Sequence, residues 1–263
     1  FGSSAWLRDP GRKECRGVPE LMTEVSDTPH VVAGLASEEQ HVGLSVSDAV
    51  QGKSAETADT SREGSMRVVV QNVQKIRGLA SELVSQFSPD VLLVQEISLS
   101  SEQPIFDAHN TSRFGYGTAI YSKNSVTNVQ LVASPYAEFG GIVHKKTTVA
   151  TCMGVQCVSF HGYNGQPFKN IAKLIAHVDV VLEALSAGPA LFAGDFNTWT
   201  SEHLNAVSAR LKSGGFDLVY SWQYPGRDFP LDHAFIRELH LEKSSCYKCD
   251  ADHQGAVLEL TMT

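Results

Sequence analysis

Short apolar runs that end abruptly in amide, carboxylate or imidazole side chains recur through the second part of this chain. Runs of this kind are typical of buried strands. They are Met66–Val70 before Gln71-Asn72, Val91–Val94 before Gln95-Glu96, Val155–Phe160 before His161, Ala190–Ala193 before Gly194-Asp195-Phe196-Asn197, and the segment Leu231-Asp232-His233. Because strands of one sheet end at a common edge, we expect these polar residues to converge in one site.

The spacing of apolar residues predicts a mixed α/β chain in which strands are in the majority. Further strands are predicted at Gly117–Ser122, Val126–Val132, Thr147–Thr151, Asp232–Ile236 and Ala256–Leu260. Helices are predicted at Leu79–Phe87, at Phe168–Leu185 after Pro167, and from Ser201 as the capping residue to about Lys212, before Gly214-Gly215.

Charge divides the chain into two parts. Residues 1–65 carry 6 Lys and Arg against 11 Asp and Glu, and they are rich in Ser, Thr and Gly without a sustained period of 2 or 3.6. This composition predicts a mostly disordered acidic leader over 1–65. The periodic segments all follow it, so we expect one folded domain over 66–263, with 42% hydrophobic residues in the whole chain to supply a core.

Composition also excludes some classes of function. The sequence contains no apolar run near the roughly 20 residues that a transmembrane helix needs. A formal net charge of −8 argues against a sequence-independent clamp on nucleic acid, which needs a basic face. We expect a soluble protein and leave its compartment open, with an inclination to an intracellular one.

Carboxylates gathered at one buried edge would repel one another and would be costly to ionise. A divalent metal held by oxygen ligands resolves that cost. Carboxylate and amide oxygens are hard ligands that suit Mg²⁺, with Mn²⁺ as the second choice, better than Zn²⁺.

Six motifs in order, QN, LLVQE, FHG, AGDFN, LDHAF and ADHQ, resemble those of the endonuclease/exonuclease/phosphatase superfamily. The resemblance covers residues 66–263, and six ordered motifs are far more specific than a single GDFN. That superfamily includes deoxyribonucleases, apurinic endonucleases, neutral sphingomyelinases, inositol phosphatases and deadenylases. The resemblance implies a four-layer α/β sandwich, in which two mixed sheets pack face to face with helices outside, and metal-assisted phosphoester hydrolysis at one rim.

The resemblance also implies a role for each matched residue. Glu96 resembles the principal metal ligand, Asn72 the amide beside it, and Asp252 the acid that supports the metal. The matched catalytic residues are Asp195, which orients or deprotonates the attacking water, Asn197 as its partner, His253, which stabilises the phosphorane-like charge, Asp232, which orients His253, and His161 near the leaving group. A positioned water, a base and positive charge on the phosphoryl oxygens are what phosphodiester hydrolysis requires.

Two positions depart from the abasic-site nucleases of the superfamily. Those enzymes have Asn or Asp where Gln74 stands, and Tyr where His161 stands, so that branch is disfavoured. We expect phosphodiester cleavage of a nuclease type, with nucleic acid as a possible substrate. The alternatives are a phosphatase or a sphingomyelinase-like lipid phosphodiesterase and, from a different class, a catalytically silent binding module.

Several neighbouring residues have an ordinary structural interpretation. Arg227 lies in a loop that leads directly into the Asp232 strand, and we expect it to bind phosphate. Lys145 and Lys146 are expected to be solvated surface charge, with a contribution to phosphate binding as the alternative. His233 is expected to be structural, because it alternates to the face opposite Asp232.

Overall fold

The computed structural model describes residues 64–98, 105–112, 116–138, 140–165 and 170–263. Apart from its last two residues, the predicted leader lies outside the described residues. The described strands are β1 (Ser65–Asn72), β2 (Val91–Ser98), β3 (Ala108–Thr111), β4 (Tyr116–Ser122), β5 (Val126–Glu138), β6 (Val143–Cys152), β7 (Val155–His161), β8 (Ala190–Asp195), β9 (Asp217–Trp222), β10 (Asp232–Arg237), β11 (Leu239–Tyr247) and β12 (Gly255–Met262). The described helices are α1 (Leu79–Phe87), α2 (Ile171–Glu183) and α3 (Ser201–Ser213).

The strands form two six-stranded mixed sheets. One has the order β11-β12-β1-β2-β4-β3 and the other β5-β6-β7-β8-β10-β9. Each has one parallel pair at its centre, β1 with β2 and β7 with β8, while the remaining neighbours are antiparallel. Both sheets therefore have a central parallel pair flanked by antiparallel strands. In each sheet, the carboxyl ends of the two parallel strands lie side by side at one edge.

Three buried clusters of apolar side chains hold the layers together. The largest lies between the sheets and includes Val70, Leu93 and Leu191. A second packs α2 and α3 against the outer face of the β5–β9 sheet, and a third packs α1 against the outer face of the other sheet. This arrangement confirms the predicted four-layer sandwich. In the described part of the chain, none of the three helices has the length and hydropathy of a membrane span.

The structure differs from the sequence prediction at several elements. The strands β3, β9 and β11 were not predicted, since they are short or mix polar with apolar residues. The capping residue of α3 is Thr200, not Ser201, because the Thr200 side chain accepts the hydrogen bond from the His203 backbone N–H. Asn170 caps α2, whereas the predicted helix start at 167–168 lies outside the described residues.

The pairing register brings the polar strand ends together. Asn72 pairs with Gln95 at the end of the β1–β2 pair. In the other sheet, Asp195 pairs with His161 on one side and with Asp232 on the other. The short apolar runs therefore deliver their terminal polar residues to one rim of the sandwich, as the sequence predicted.

Gly194, immediately before Asp195, allows two strands to approach closely. It has φ +138°, and a Cβ atom there would lie 2.2 Å from the Phe160 carbonyl oxygen and 2.9 Å from Gln95 Nε2. We expect Gly194→Ala to lower the free energy of unfolding by about 3 kcal/mol, because both backbone strain and a steric clash oppose it.

The matched control is Gly188→Ala, just before the same strand. Gly188 also has a positive φ, +105°, but no atom lies within 4 Å of the place that a Cβ would occupy. Backbone strain alone predicts a loss of about 1–2 kcal/mol. Urea denaturation followed by circular dichroism measures both, and equal losses in the two variants would show that close approach at Gly194 is unimportant.

Candidate active site

A hydrogen bond between the two sheets lies at the centre of the rim. Asn72 Nδ2, at the end of β1, donates to Asp195 Oδ2, at the end of β8, over 3.2 Å. Asn72 is 1% exposed and Asp195 is 3% exposed. A buried carboxylate and a buried amide therefore satisfy one another across the sandwich.

Asp195 is also held by the residues that follow it. Its Oδ1 accepts the Asn197 backbone N–H over 2.9 Å, and Asn197 Nδ2 donates to the Gly162 carbonyl over 3.1 Å. Asn197 has φ 56°, a left-handed conformation that asparagine tolerates better than most residues. Burial raises the pKa of Asp195, although the nearby cations His253 and Lys145 oppose that effect. The result is a carboxylate with increased affinity for a proton.

His253 and Asp232 form a buried pair beside Asp195. His253 Nδ1 bonds to Asp232 Oδ2 over 2.7 Å, and its Nε2 lies 3.8 Å from Asp195 Oδ2. Burial by itself would lower the pKa of His253, but Asp232 and Asp195 raise it to about 10. The imidazole is therefore cationic at neutral pH, and its Nε2–H points toward the carboxylate of Asp195. Burial raises the pKa of Asp232, while His253 opposes this.

Gln71 connects the Asn72 and His253 segments by hydrogen bonds. The sequence did not predict this positioning role. Gln71 Nε2 donates to the Asn72 carbonyl over 2.7 Å and to the His253 carbonyl over 3.2 Å. One buried amide thus connects the end of β1 to the turn before β12. The motif QN gave a signal for Gln71, but the signal did not distinguish a positioning role from a surface one.

Glu96 lies where the ladder between β2 and β4 is interrupted. The register shifts between Gln95 and Ile97, and Glu96 has φ 53°. This bulge leaves Glu96 without a paired partner in β4, as β-bulges near functional sites often do. Glu96 Oε2 accepts from Lys75 Nζ over 2.9 Å, and Oε1 lies 3.7 Å from His161 Nε2. Burial would raise the pKa of Glu96, but the hydrogen bond from Lys75 and the positive charges of Lys145 and Lys75 lower it, so Glu96 is ionised.

His161 reaches both the rim acids and a lysine. Its Nε2 lies 3.6 Å from Asp195 Oδ2 and 2.5 Å from Lys145 Nζ. A lysine ammonium can only donate, so His161 Nε2 accepts this bond. Burial lowers the pKa of His161 well below its ordinary value, and Lys145 lowers it further, while Glu96 opposes them. His161 is therefore neutral, in contrast to His253.

The prediction that Lys145 is solvated surface charge is wrong. Its side chain is 13% exposed, and its Nζ lies 3.9 Å from Glu138 Oε2 as well as against His161. Glu138 in turn accepts the backbone N–H groups of Asn164 and Gly165. The pair of adjacent lysines indicates exposed charge in the sequence, and the contacts of Lys145 arise only when β5, β6 and β7 pair and bring Glu138 and His161 to it.

Asp252 and Arg227 lie on the outer side of His253. Asp252 is exposed, and its Oδ2 accepts from the Tyr224 hydroxyl over 3.1 Å. The Tyr224 ring contacts the His253 ring edge-on, with centroids 4.6 Å apart. The Arg227 guanidinium lies 3.9 Å from the centre of the Trp199 ring. Asp252 is thus next to His253, but the structure gives it no contact with Glu96 or Asn72.

Within the described ranges, no group of three or more His, Cys, Asp and Glu residues is close enough to hold a metal. The predicted ligand set of Glu96, Asn72 and Asp252 stays a prediction. The chemistry of the inner donors fits a hard divalent cation, because Glu96 is ionised and Asn72 has a second oxygen donor, its Oδ1, which accepts the Gln74 backbone N–H over 3.1 Å.

His233 has the contacts of a structural residue. It is fully buried, and its two ring nitrogens bond to the hydroxyls of Thr198 and Ser221 over 2.6 Å and 2.7 Å. Burial lowers the pKa of His233 to about 3, so it stays neutral. These contacts account for the structural role that the sequence predicted.

The segment that builds this rim matches a known family. A family model described as the Endonuclease/Exonuclease/phosphatase family matches residues 70–253, which is more than half of the chain. The chain belongs to this family. The match begins at Val70, next to Gln71-Asn72, and ends at His253, so it includes each of the rim residues described above.

Curated relatives of this family member are bacterial proteins. A UPF0294 protein of Vibrio vulnificus (strain YJ016) is 39% identical over 80 residues, which is 28% of this chain and 28% of that protein. A UPF0294 protein of Vibrio campbellii is 26% identical over 225 residues, which is 76% of this chain and 79% of that protein. The alignment with the Vibrio vulnificus protein thus spans just over a quarter of its length.

Solved structures with the same fold include proteins named for different substrates. D. rerio TDP2, complexed with a single-strand DNA product, has a TM-score of 0.54 at 19% identity and covers 76% of this chain and 100% of its own. A mannosyl-6-phosphatase of Bacteroides thetaiotaomicron has a TM-score of 0.56 at 14% identity, covering 75% and 100%. Identities this low establish the fold alone.

The pair of His253 and Asp232 makes a titration prediction. We expect the His253 ring to keep its proton through neutral pH and to lose it as the pH rises through about 10. Because this pKa lies above that of an unfolded histidine, about 6.5, protonation stabilises the fold below that pH, and the stabilisation is lost between about 6.5 and 10. In Asp232→Asn we expect the His253 pKa to fall toward 6.5.

Proton–carbon NMR of the histidine Cε1–H groups measures this titration in metal-free buffer. Asp179→Asn is the control, because Asp179 pairs with Arg210 on the outer helices. An unaltered His253 titration in Asp232→Asn would contradict the assigned pairing.

Proposed function

We propose that this family member hydrolyses phosphodiester bonds with the help of a divalent metal ion, in the manner of a nuclease. The observation that carries the proposal is the convergence on Asp195 Oδ2. The Asn72 amide, the neutral His161 ring and the cationic His253 ring all lie within 4 Å of that one oxygen. A base flanked by a neutral and a cationic imidazole supplies the parts that in-line attack on phosphorus requires.

Asp195 acts as the base in this proposal. Its Oδ1 is fixed by the Asn197 backbone, and its Oδ2, which accepts from Asn72 Nδ2, has a further lone pair to accept a hydrogen bond from a water molecule and then its proton. Burial raises the pKa of Asp195, which makes it a better proton acceptor than an exposed aspartate. Asn197 keeps the carboxylate in orientation, and its own side chain is fixed to Gly162.

His253 stabilises negative charge that develops on the phosphoryl oxygens. Asp232 holds the ring by Nδ1, so Nε2–H is directed into the rim. A fixed cation in a desolvated site lowers the energy of a transition state without reorganising. His161, held by Lys145 and 3.6 Å from Asp195 Oδ2, is the residue that we propose to act near the leaving group.

Mg²⁺, or Mn²⁺ in its place, is the proposed cofactor. Glu96 and Asn72 would hold it, and Asp252 would support it from the outer side. When bound, such a cation neutralises charge on the phosphoryl oxygens. The bulge at Glu96 supports this assignment. It takes the Glu96 backbone out of pairing with β4, and bulges next to active sites often redirect a side chain in this way.

A phosphatase or a sphingomyelinase-like lipid phosphodiesterase is the alternative. The acidic balance of the chain, at −8, supports it, as does the shared fold of the mannosyl-6-phosphatase. A catalytically silent module is less well supported, because the acids and histidines of all six motifs are present and most of them meet at one rim.

Asp195→Asn tests the proposed base. Asparagine has the same shape but cannot take a proton, so we expect kcat on bis-p-nitrophenyl phosphate to fall by at least about 10³-fold. Hydrolysis rates with Mg²⁺ and with EDTA measure this, alongside plasmid and single-stranded oligonucleotide substrates. Asp217→Asn is the control, because Asp217 is an exposed residue paired with Lys212.

Three results would contradict the proposal in different ways. Cleavage of p-nitrophenyl phosphate alone would replace it with the phosphatase alternative. Wild-type rates in a folded Asp195→Asn variant would refute the site assignment. Absence of all hydrolysis, together with absence of Mg²⁺ binding by calorimetry, would indicate the silent module.

Arg227→Ala tests the proposed phosphate contact. The guanidinium is exposed and stacked on Trp199, in a position to form a bidentate bond with a phosphate. We expect KM for an oligonucleotide to rise about tenfold with a smaller change in kcat, and Arg227→Lys to be intermediate. Steady-state kinetics beside Arg210→Ala, on the outer helix α3, provide the comparison, and an unchanged KM would exclude the contact.

A further inference from the structure

A small pocket lies beside the candidate active site and shares His161 with it. Its described lining comes from Ser112 just after β3, from β4, β5 and β6, and from His161 at the end of β7: Ser112, Gly117, Glu138, Val143, His144, Lys145, Lys146 and His161. His161 Nε2 is also 3.6 Å from Asp195 Oδ2, so the pocket is one side chain away from the proposed base. A substrate whose scissile phosphate lies at Asp195 would extend into this pocket.

Two lysines give the pocket a positive character. Lys145 is directed to His161, and its only acidic neighbour in the described lining of the pocket, Glu138, is already bonded to the backbone N–H groups of Asn164 and Gly165. Lys146 is half-buried, and no described acidic residue forms an ion pair with it. A half-buried ammonium without a counter-ion favours an anionic ligand.

We propose that this pocket binds a second phosphate of the substrate, next to the scissile one, and that Lys146 is its principal ligand. This inference rests on the proposed phosphodiester hydrolysis and adds the substrate class to it. The substrate is an oligonucleotide, in which each scissile phosphate has another phosphate beside it along the chain.

The lining also disfavours a choline lipid. A quaternary ammonium group is recognised by aromatic rings, and the described lining residues include no Phe, Tyr or Trp. Lys145 and Lys146 would repel such a cation. The charge of the pocket thus favours an oligonucleotide over a choline lipid. The catalytic residues, which contact only the scissile phosphate, do not distinguish between these two diesters.

The test compares three dinucleotides on the purified full chain with Mg²⁺. Thymidylyl-thymidine has the scissile phosphate alone, and two further forms carry an additional phosphate at the 5′ or the 3′ end. We expect wild-type protein to cleave one of the phosphorylated forms with a kcat/KM about tenfold above that of the unphosphorylated dinucleotide, the value of one charge-assisted contact. The quantity to compare between variants is the ratio of kcat/KM for the phosphorylated dinucleotide to kcat/KM for the unphosphorylated one. A substitution that slows catalysis on both substrates equally leaves this ratio unchanged.

Three variants locate the effect. Lys146→Ala is expected to bring the ratio to about one, and Lys146→Arg, which keeps the charge, to preserve the preference. The matched control is Lys123→Ala, because Lys123 is an exposed lysine just beyond the opposite end of β4 from Gly117, roughly 20 Å away along the strand. It is expected to show the wild-type ratio.

Two outcomes overturn the inference and can be told apart. If bis-p-nitrophenyl phosphate and all three dinucleotides resist hydrolysis, the proposed function fails and the inference fails with it. If they are cleaved but the wild-type ratio is about one, or Lys146→Ala keeps the wild-type ratio, only the second-phosphate site fails. Circular dichroism melting of each variant separates loss of binding from loss of fold.

Discussion

Polar contacts between the two sheets determine how the rim of this sandwich is built. Asn72 on one sheet bonds to Asp195 on the other. Deeper down, Gln95 Nε2 donates to Ser159 Oγ over 3.0 Å, and Ser159 Oγ donates to the Val94 carbonyl over 2.7 Å. Buried polar groups must find partners, so the two sheets can close here only in the one register that satisfies them. The apolar core drives the sheets together, and these bonds fix their alignment.

The same contacts give chemically identical side chains different properties. His253 bonds to a carboxylate at 2.7 Å and its pKa is raised, whereas His161 faces an ammonium at 2.5 Å and its pKa is lowered. His233, enclosed by hydroxyls, has its pKa lowered by burial alone. Within one fold, His253 is therefore cationic at neutral pH, whereas His161 and His233 are neutral for different reasons.

Much of this architecture could be predicted from the sequence, because it depends on local patterns. Short apolar runs with polar ends identified the central strands and most of the rim residues, Asp195 and His161 among them. Lys145 was predicted as surface charge because two adjacent lysines are typical of a solvated surface, whereas strand pairing brings Lys145 against His161 and Glu138. The positioning role of Gln71 was missed because its amide bonds to the His253 carbonyl, 182 residues away in sequence. The edge strand β11 was missed for a different reason, since one face of it is solvated and its residues alternate irregularly. The prediction for Asp252 came from a resemblance, and its side chain bonds outward to Tyr224.

Two rim residues, Glu96 and Asn197, have left-handed backbones, with φ of 53° and 56°. Glycine would adopt either conformation with less strain, yet glycine would remove the carboxylate or the amide that the rim requires. Natural or directed selection for a more heat-resistant protein would therefore favour glycine at the two positions where it eliminates the functional group. Resistance to heat and retention of the rim chemistry are opposed at these positions, so gains in thermal tolerance have to come from elsewhere in the chain.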